Sequence, residues 1–495
     1  MSIPNRSSKL PDLEAQKVAT AAITDGEKAS IHYVTWDGDM DPENPNNWST
    51  PYRWTITIVV AFLVVSAAFG SSVVTGRLQG PMEDFGVSME VSTLQVSLIV
   101  FGFMVGPLLW SPISETIGRK PVYVVALGVY FIFNIPCAVA KNIETLLVCR
   151  FFSGFFGSAC LTIAGGTISD LFPAKERGNA IAYFAAAPFA GPVLGPIVGG
   201  WISIGTQNWR WIYWVNTIFA GMMWIIVILV MPETYHPILL KKRAKRLRYE
   251  TGDPSYVTVE EEFPVPLSEL LKDTMVRPFG MLVTEPILLL MSMYIAIIYS
   301  LLYGFFFAYP IIFGEIHGMN DGEIGLTFCS VLIGTFLALL VTPKLDKMYN
   351  KAGEKRPDGK PTPEDRLPGM MFGAPFVPVS LFIFGWTSYP WLHWTGPCFS
   401  GIPFGFGMVL IYWAANNYLI DCFPRYVTSA LAGKTVVRSG GGAAFPLFIG
   451  YMYHGMGNQW ASTLLAFISL AIVPIPFAFY RYGPYVRSRS KMCVQ

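Results

Sequence analysis

Residues 282–309 read LVTEPILLLMSMYIAIIYSLLYGFFFAY. From Pro286 to Tyr309 no side chain is charged, and the one acid, Glu285, stands just before the proline. A helix rises about 1.5 Å per residue, so about 20 such residues cross a hydrocarbon layer of ~30 Å. The run is too long and too continuous for a barrel strand, and an open strand would leave backbone groups unpaired in lipid. A proline at the first helical position needs no donor there, and an acid before it complements the helix N-terminus. Outward from this segment, runs of the same kind recur near 54–76, 92–113, 121–140, 146–169, 178–203, 210–231, 322–343, 369–389, 391–420, 427–452 and 460–480. They divide into six, a hydrophilic stretch over 232–281, and six more. The expected fold class is therefore all-α: a polytopic membrane protein with twelve transmembrane helices in two pseudo-symmetric six-helix bundles. Repeats of this kind place a site near mid-membrane between the halves.

Composition agrees with that reading. The chain has 495 residues, 53% hydrophobic and only 14% charged, against about 25% charged in soluble proteins. The formal net charge of +2 is too small to imply a nucleic-acid partner. Where the 35 basic residues fall matters more. With a cytosolic N-terminus, Arg77, Lys141 and Arg210 lie on external connections, and Arg150, Lys434 and Arg438 lie within spans. The other 29 all fall on the cytosolic side, which is the positive-inside pattern. The expected organisation is a disordered cytosolic arm over 1–53, a bundle over 54–231, a cytosolic loop over 232–281, a second bundle over 282–480 and a cytosolic tail over 481–495. The arm has no apolar core of a signal peptide.

Enzymatic chemistry finds no support. Cys137, Cys149, Cys160, Cys329, Cys398, Cys422 and Cys493 are odd in number and form no CxxC pair; most sit in apolar runs, as small core residues do. The five histidines show no ligand spacing, and there is no hydrolase elbow, P-loop or dinucleotide fingerprint. No cofactor and no metal are expected.

Three stretches carry more specific information. Ser111-Pro-Ile-Ser-Glu115-Thr-Ile-Gly118-Arg119-Lys120-Pro121 is a tight, basic loop, in which Gly118 permits the turn and Glu115 is able to pair with Arg119 or Lys120. Gly191-Pro192-Val-Leu-Gly195-Pro196-Ile-Val-Gly199-Gly200 puts glycines on one helix face, where a neighbour approaches closely, and prolines that remove backbone bonds. Arg150 opens Arg150-Phe-Phe-Ser-Gly154-Phe-Phe-Gly157; a cation inside a span needs a partner, a wet cavity or a route to the interface.

Together these resemble the major facilitator superfamily. The loop is similar to its G-x-x-x-D-R-x-G-R-[KR] signature, with Ser111 for the first Gly, Glu115 for the Asp and Thr116 for the first Arg. The Gly191–Gly200 string resembles the signature of the superfamily's exporters, which implies proton-exchanging export. The Arg150 string is similar to the R-x-x-x-G-x-x-G region of proton-coupled members, which implies a coupling role for Arg150. Asp41-Pro-Glu-Asn-Pro-Asn-Asn-Trp48, Pro232-Glu233-Thr-Tyr235-His-Pro237 and Phe445-Pro446-Leu447-Phe448 look like the fungal twelve-span drug:proton antiporter family. That resemblance implies a monomeric plasma-membrane antiporter with a small organic substrate, protons and the bilayer as its partners.

The substrate-facing candidates come from polar residues in apolar runs. Lys434 and Arg438 lie one helical turn apart on one face, and Arg438, counted from Arg425, is about 20 Å deep. Tyr299 and Tyr303 share a face, as do Tyr412 and Asn416; cavity lining and helix packing both stay open for them. Glu285 reads as a helix-start acid or as a cation site. Lys434 makes a polycation a poorer substrate and an organic acid anion a better one. Export of drugs, toxins or metabolites, export of an organic anion, export of a polyamine, and a non-transporting sensor of the same fold all remain open.

Overall fold

A computed structural model describes residues 32–38, 40–173, 186–264, 266–356, 361–424 and 426–490, with isolated positions at 176, 180, 184, 359, 492 and 493. Residues 1–31 of the expected arm, the beginning of the expected fifth span, Arg425 and Lys491 lie outside the described residues. Contacts divide the chain into two units. One comprises residues 1–35 and 240–264, the other 36–239 and 265–495.

In the smaller unit His32–Tyr33 pairs in parallel with Tyr256–Val257. Arg248 makes a bidentate ion pair with Glu261, at 2.9 and 3.0 Å, and the Tyr33 hydroxyl bonds Glu262. The described end of the arm thus pairs with part of the 232–281 stretch. His236–Thr251 and Leu267–Thr284 are helices.

The larger unit is helical. Among the described residues, eleven helical segments are long and apolar enough to cross a membrane: Thr50–Arg77, Met89–Ile117, Arg119–Val139, Ile143–Leu171, Ala187–Thr206, Arg210–Val230, Pro286–Ile316, Asp321–Glu354, Pro363–Trp386, Thr395–Cys422 and Asn458–Arg489. Between the last two runs a twelfth, Val427–Ala444 continued by Pro446–Met456. It holds Lys434 and Arg438 and is interrupted where Pro446 has no N–H to donate. We number these twelve spans in chain order, with the interrupted one eleventh.

Local chemistry sets the ends. The Asn142 side chain caps the fourth span, Asn320 and Glu323 form a capping box at the eighth, and Pro286 begins the seventh. The seventh span outruns its expected end, widening into π-helical turns over Pro310–Ile316. The eighth reaches Glu354 and the twelfth Arg489, so several basic residues expected in loop and tail continue helices instead.

The first six spans pack on one another, as do the last six; the second span meets the eleventh and the fifth meets the eighth across the divide. Small residues allow these approaches. A Cβ at Gly102 would strike the Gly154 carbonyl carbon at 2.6 Å, and one at Gly191 the Val65 carbonyl oxygen at 2.8 Å. Phe62, Val125, Ile132, Ile225 and Phe467 face outward, as a bilayer-solvated surface requires. All seven cysteines are free thiols.

Candidate functional site

Arg150 is fully buried in the fourth span. Its Nε donates to the Gln95 carbonyl at 2.9 Å, Nη1 to the Gly70 carbonyl at 2.8 Å and Nη2 to the Ser71 carbonyl at 3.5 Å. Its guanidinium also lies 5.5 Å from the Tyr213 ring centroid. Snorkelling to the interface is therefore not its solution. Gly70 and Ser71 sit where the first span passes from α-helix, Thr50–Ser72, to 3-10 turns, Val73–Arg77, and the last α-helical carbonyls lack regular helical donors and carry the negative end of the dipole. Tyr213 in turn donates to Gln95 Oε1 at 2.6 Å, so the cation is held by carbonyl oxygens of two spans beside the ring face of a third. Among the described residues no carboxylate lies within ion-pair distance of it.

From Ser71 the contacts cross to the other half. Ser71 Oγ and the Tyr303 hydroxyl share a hydrogen bond of 2.7 Å, and Tyr299 donates to Tyr303 at 3.3 Å. Arg438 stacks over the Tyr299 ring at 4.6 Å and donates from Nη1 to the Tyr412 hydroxyl at 3.2 Å. Lys434 Nζ donates to Asn416 Oδ1 at 2.5 Å and lies 5.1 Å from the Tyr412 ring centroid. The tertiary structure thus brings Arg150, Tyr303, Tyr299, Arg438, Tyr412, Lys434 and Asn416 into one continuous set. Phe189 of the fifth span meets Tyr412 edge-on, with centroids 4.8 Å apart. Between them lies a cavity walled by Phe189, Ile295, Ile298, Tyr299, Ile411 and Tyr412. It is contracted to about 10 Å³ of space for a water centre, so it admits one water at most in this conformation.

Glu285 is not brought to this set. Buried at the start of the seventh span, its Oε2 accepts from Ser490 Oγ at 2.6 Å. Its surroundings are those of a helix-start acid beside the chain's last turns.

The conformational motifs lie elsewhere. Gly118 has φ 101°, and the Glu233 carboxylate packs where a Cβ would be. That carboxylate accepts from the Arg119 N–H at 2.9 Å and the Lys120 N–H at 3.2 Å, capping the third span from a distant segment. Arg119 pairs with Asp170 at 3.2 Å, reaches Ser114 Oγ at 2.7 Å and covers the Tyr235 ring at 4.6 Å. Glu115 stands among Arg119, Asp170 and Thr428 of the eleventh span. The second half has a counterpart: Arg366 bonds Asp346 and Asp421, each at 3.0 Å, and lies over Tyr349 at 3.4 Å. Arg487 grips Glu364 at 2.7 and 2.9 Å. Asp170 and Asp421 thus anchor Arg119 and Arg366.

Gly191, Gly195 and Gly199 lie against the first span, at Ala68, Ser72 and Val73. Gly200 turns the other way, to Asp321 and Gly322 of the eighth. Pro192 and Pro196 are buried in the same helix, and the Pro196 carbonyl packs on Gly325. One helix end therefore touches both halves.

Sequence reasoning missed Ser71, Gln95 and Glu233. Gln95 carried a signal, since an amide in an apolar run seeks a partner. Ser71 carried none, because a serine in a span commonly bonds its own helix, as this one also does to Ala68.

The Major Facilitator Superfamily profile matches residues 60–446. The chain is 48% identical over 488 residues to the multidrug transporter TPO3 of Candida glabrata, covering 98% of this chain and 77% of that protein. It is 49% identical over 459 residues to polyamine transporter 3 of Saccharomyces cerevisiae, covering 93% and 73%. In fold it is similar to the partially occluded inward-open xylose transporter XylE of E. coli, with a TM-score of 0.62 at 16% identity over 88% of this chain and 100% of that one. The profile match and these relatives show that this chain belongs to the major facilitator superfamily, a family of transporters and not of enzymes.

Proposed function

We propose that the chain is a proton-coupled exporter of small organic molecules across a fungal plasma membrane, working as a monomer with both termini cytosolic. One observation carries this reading: Arg150 in the first half and Arg438 in the second are joined through Ser71, Tyr303 and Tyr299. A change of contacts at one cation is thereby felt at the other, which coupled transport requires. The names of the relatives, a multidrug and a polyamine transporter, support export of small organic compounds. The resemblance of Gly191–Gly200 to the exporter signature supports outward, proton-exchanging movement.

In this reading residues 54–231 and 282–480 act as two bodies rocking about the central cavity. Phe189 then leaves Tyr412, and the contracted cavity opens to substrate. The Gly118–Lys120 loop, with Glu115, Glu233 and Asp170, holds the cytosolic side when it is shut. The Pro192–Pro196 segment gives the fifth span its bend. The test is export from yeast stripped of its main efflux pumps, with cells loaded with a panel of labelled drugs, a polyamine and a dicarboxylate. Expression of this chain is expected to lower retention of at least one compound, and a protonophore to abolish that difference. Export that persists unchanged under the protonophore overturns the proton coupling.

A further inference from the structure

We propose that Arg438 and Lys434 seat the acidic group of an amphipathic organic monoanion, whose apolar body lies against Phe189, Tyr299 and Tyr412. This rests on the exporter reading above and names its substrate class.

The charge balance of the protein's centre points there. Lys434 and Arg438 are 4% and 6% exposed and one helical turn apart, so they repel each other in a poorly solvated place. The first span presents Ser71 to this region, the second Val100 and Met104, and the fifth Phe189. The seventh presents Tyr299 and Tyr303, and the tenth Tyr412 and Asn416. None of these is an acid. Among the described residues the buried carboxylates sit elsewhere: Asp41 on the backbone N–H groups of Asp37 and Glu43, Glu233 on the Arg119 loop, Glu364 on Arg487 and Glu285 on Ser490. A third cation, Arg150, is held by neutral oxygens only. Ring faces and neutral acceptors offset part of the cost of burying a charge, but no described residue supplies a counter-charge.

The guanidinium is also incompletely bonded. Arg438 Nε is buried without a hydrogen-bond partner, while Nη1 reaches Tyr412. A planar carboxylate, or an acidic phenolate, supplies the acceptor and the charge together. The rest of the wall, Phe189, Ile295, Ile298 and Ile411, offers nothing polar, so the remainder of the ligand is apolar. A second anionic group would be buried there unpaired, and a polycation would meet two like charges. The seat lies on the seventh, tenth and eleventh spans, whereas its cover, Phe189, comes from the fifth. Separation of the halves therefore uncovers the seat without dismantling it.

The test uses the full chain, purified and placed in lipid nanodiscs, with three probes of one shape: 2-naphthoate, 2-naphthamide and 2-naphthylmethylammonium. Binding is read by naphthyl fluorescence, and counterflow of the same probes is read in proteoliposomes. Naphthoate is expected to bind about tenfold or more tightly than the amide, the scale of a hydrogen bond to a charged group, and the ammonium to bind weakest. Arg438→Gln and Lys434→Gln are each expected to lower naphthoate affinity about tenfold and to leave the amide unchanged. Lys434→Arg, which keeps the charge, is expected to retain the anion preference that Lys434→Gln loses, and loss of that preference in Lys434→Arg as well overturns the seat. Counterflow of the amide or the ammonium with none of naphthoate overturns the anion seat and leaves the exporter reading standing. Absence of binding and counterflow for all three overturns the exporter reading and the seat with it.

Discussion

At the residue scale the buried arginines are the decisive groups. Arg150 spends three N–H donors on carbonyls of two other helices, and a lysine ammonium reaches fewer of them because it is a compact head without the planar fork. In Arg150→Lys we expect pH-gradient-driven transport to fall about tenfold or more, with naphthoate affinity within about twofold of the parent. A purely structural role would lower both together, along with the melting temperature, so measuring all three separates the cases. That Arg150, Lys434 and Arg438 lie within spans was legible in the sequence, because a cation in an apolar run stands out. Their partners were not. Gly70, Ser71 and Gln95 serve Arg150 through backbone carbonyls, which every residue has, so nothing in the sequence names Arg150 as their partner, although the Gln95 amide stands out in its apolar run.

At the element scale the glycines of the fifth span and the loop acids set how helices meet. Spacing alone revealed a smooth face over Gly191, Gly195 and Gly199; packing revealed that it rests on the first span, while Gly200 faces the eighth. The short helix Gln79–Phe85 shows the same division. Asp84 on it accepts from Trp209 Nε1 at 2.9 Å and pairs with Arg210 at 2.5 Å, tying the first connection to the sixth span. The Trp209 bond, and then the Arg210 guanidinium, hold the Asp84 carboxyl below the usual carboxylate range. A pKa depressed by folding stabilises the protein in full above the unfolded value, about 3.9, and the gain is lost as pH falls through the lower folded value. Asp84→Asn is therefore expected to lower the melting temperature at pH 6, and the gap to the parent should close as pH drops below about 4. A gap that stays constant down to pH 3 would show that the ion pair contributes nothing. The break of the eleventh span at Pro446 was readable as a proline. The continuation of the seventh span through π-helical turns to Ile316 was not, since nothing in PIIFGEI distinguishes it from a helix end.

At the scale of the whole molecule, the two halves meet along the second and eleventh spans and along the fifth and eighth. Ser203 Oγ donates to Asp321 Oδ2 at 2.9 Å beside the Gly200 contact, so this is where the halves are most easily stapled. Oxidised S203C/D321C is expected to lose transport and to recover it with a thiol reductant, as read in the export assay. Full activity with the crosslink formed would mean that the fifth and eighth spans need not part. The helical nature of the spans and their approximate number were determined by the sequence itself, because backbone satisfaction in lipid and the length of an apolar run leave few alternatives. The tertiary structure alone decided that Arg150 and Arg438 share a path through Ser71 and Tyr303, that Glu233 caps a helix begun more than a hundred residues earlier, and that Glu285 stands apart from the centre. The physical reason is that hydrophobic patterning fixes which residues leave water, whereas the partners of buried charges are set by which helix faces meet.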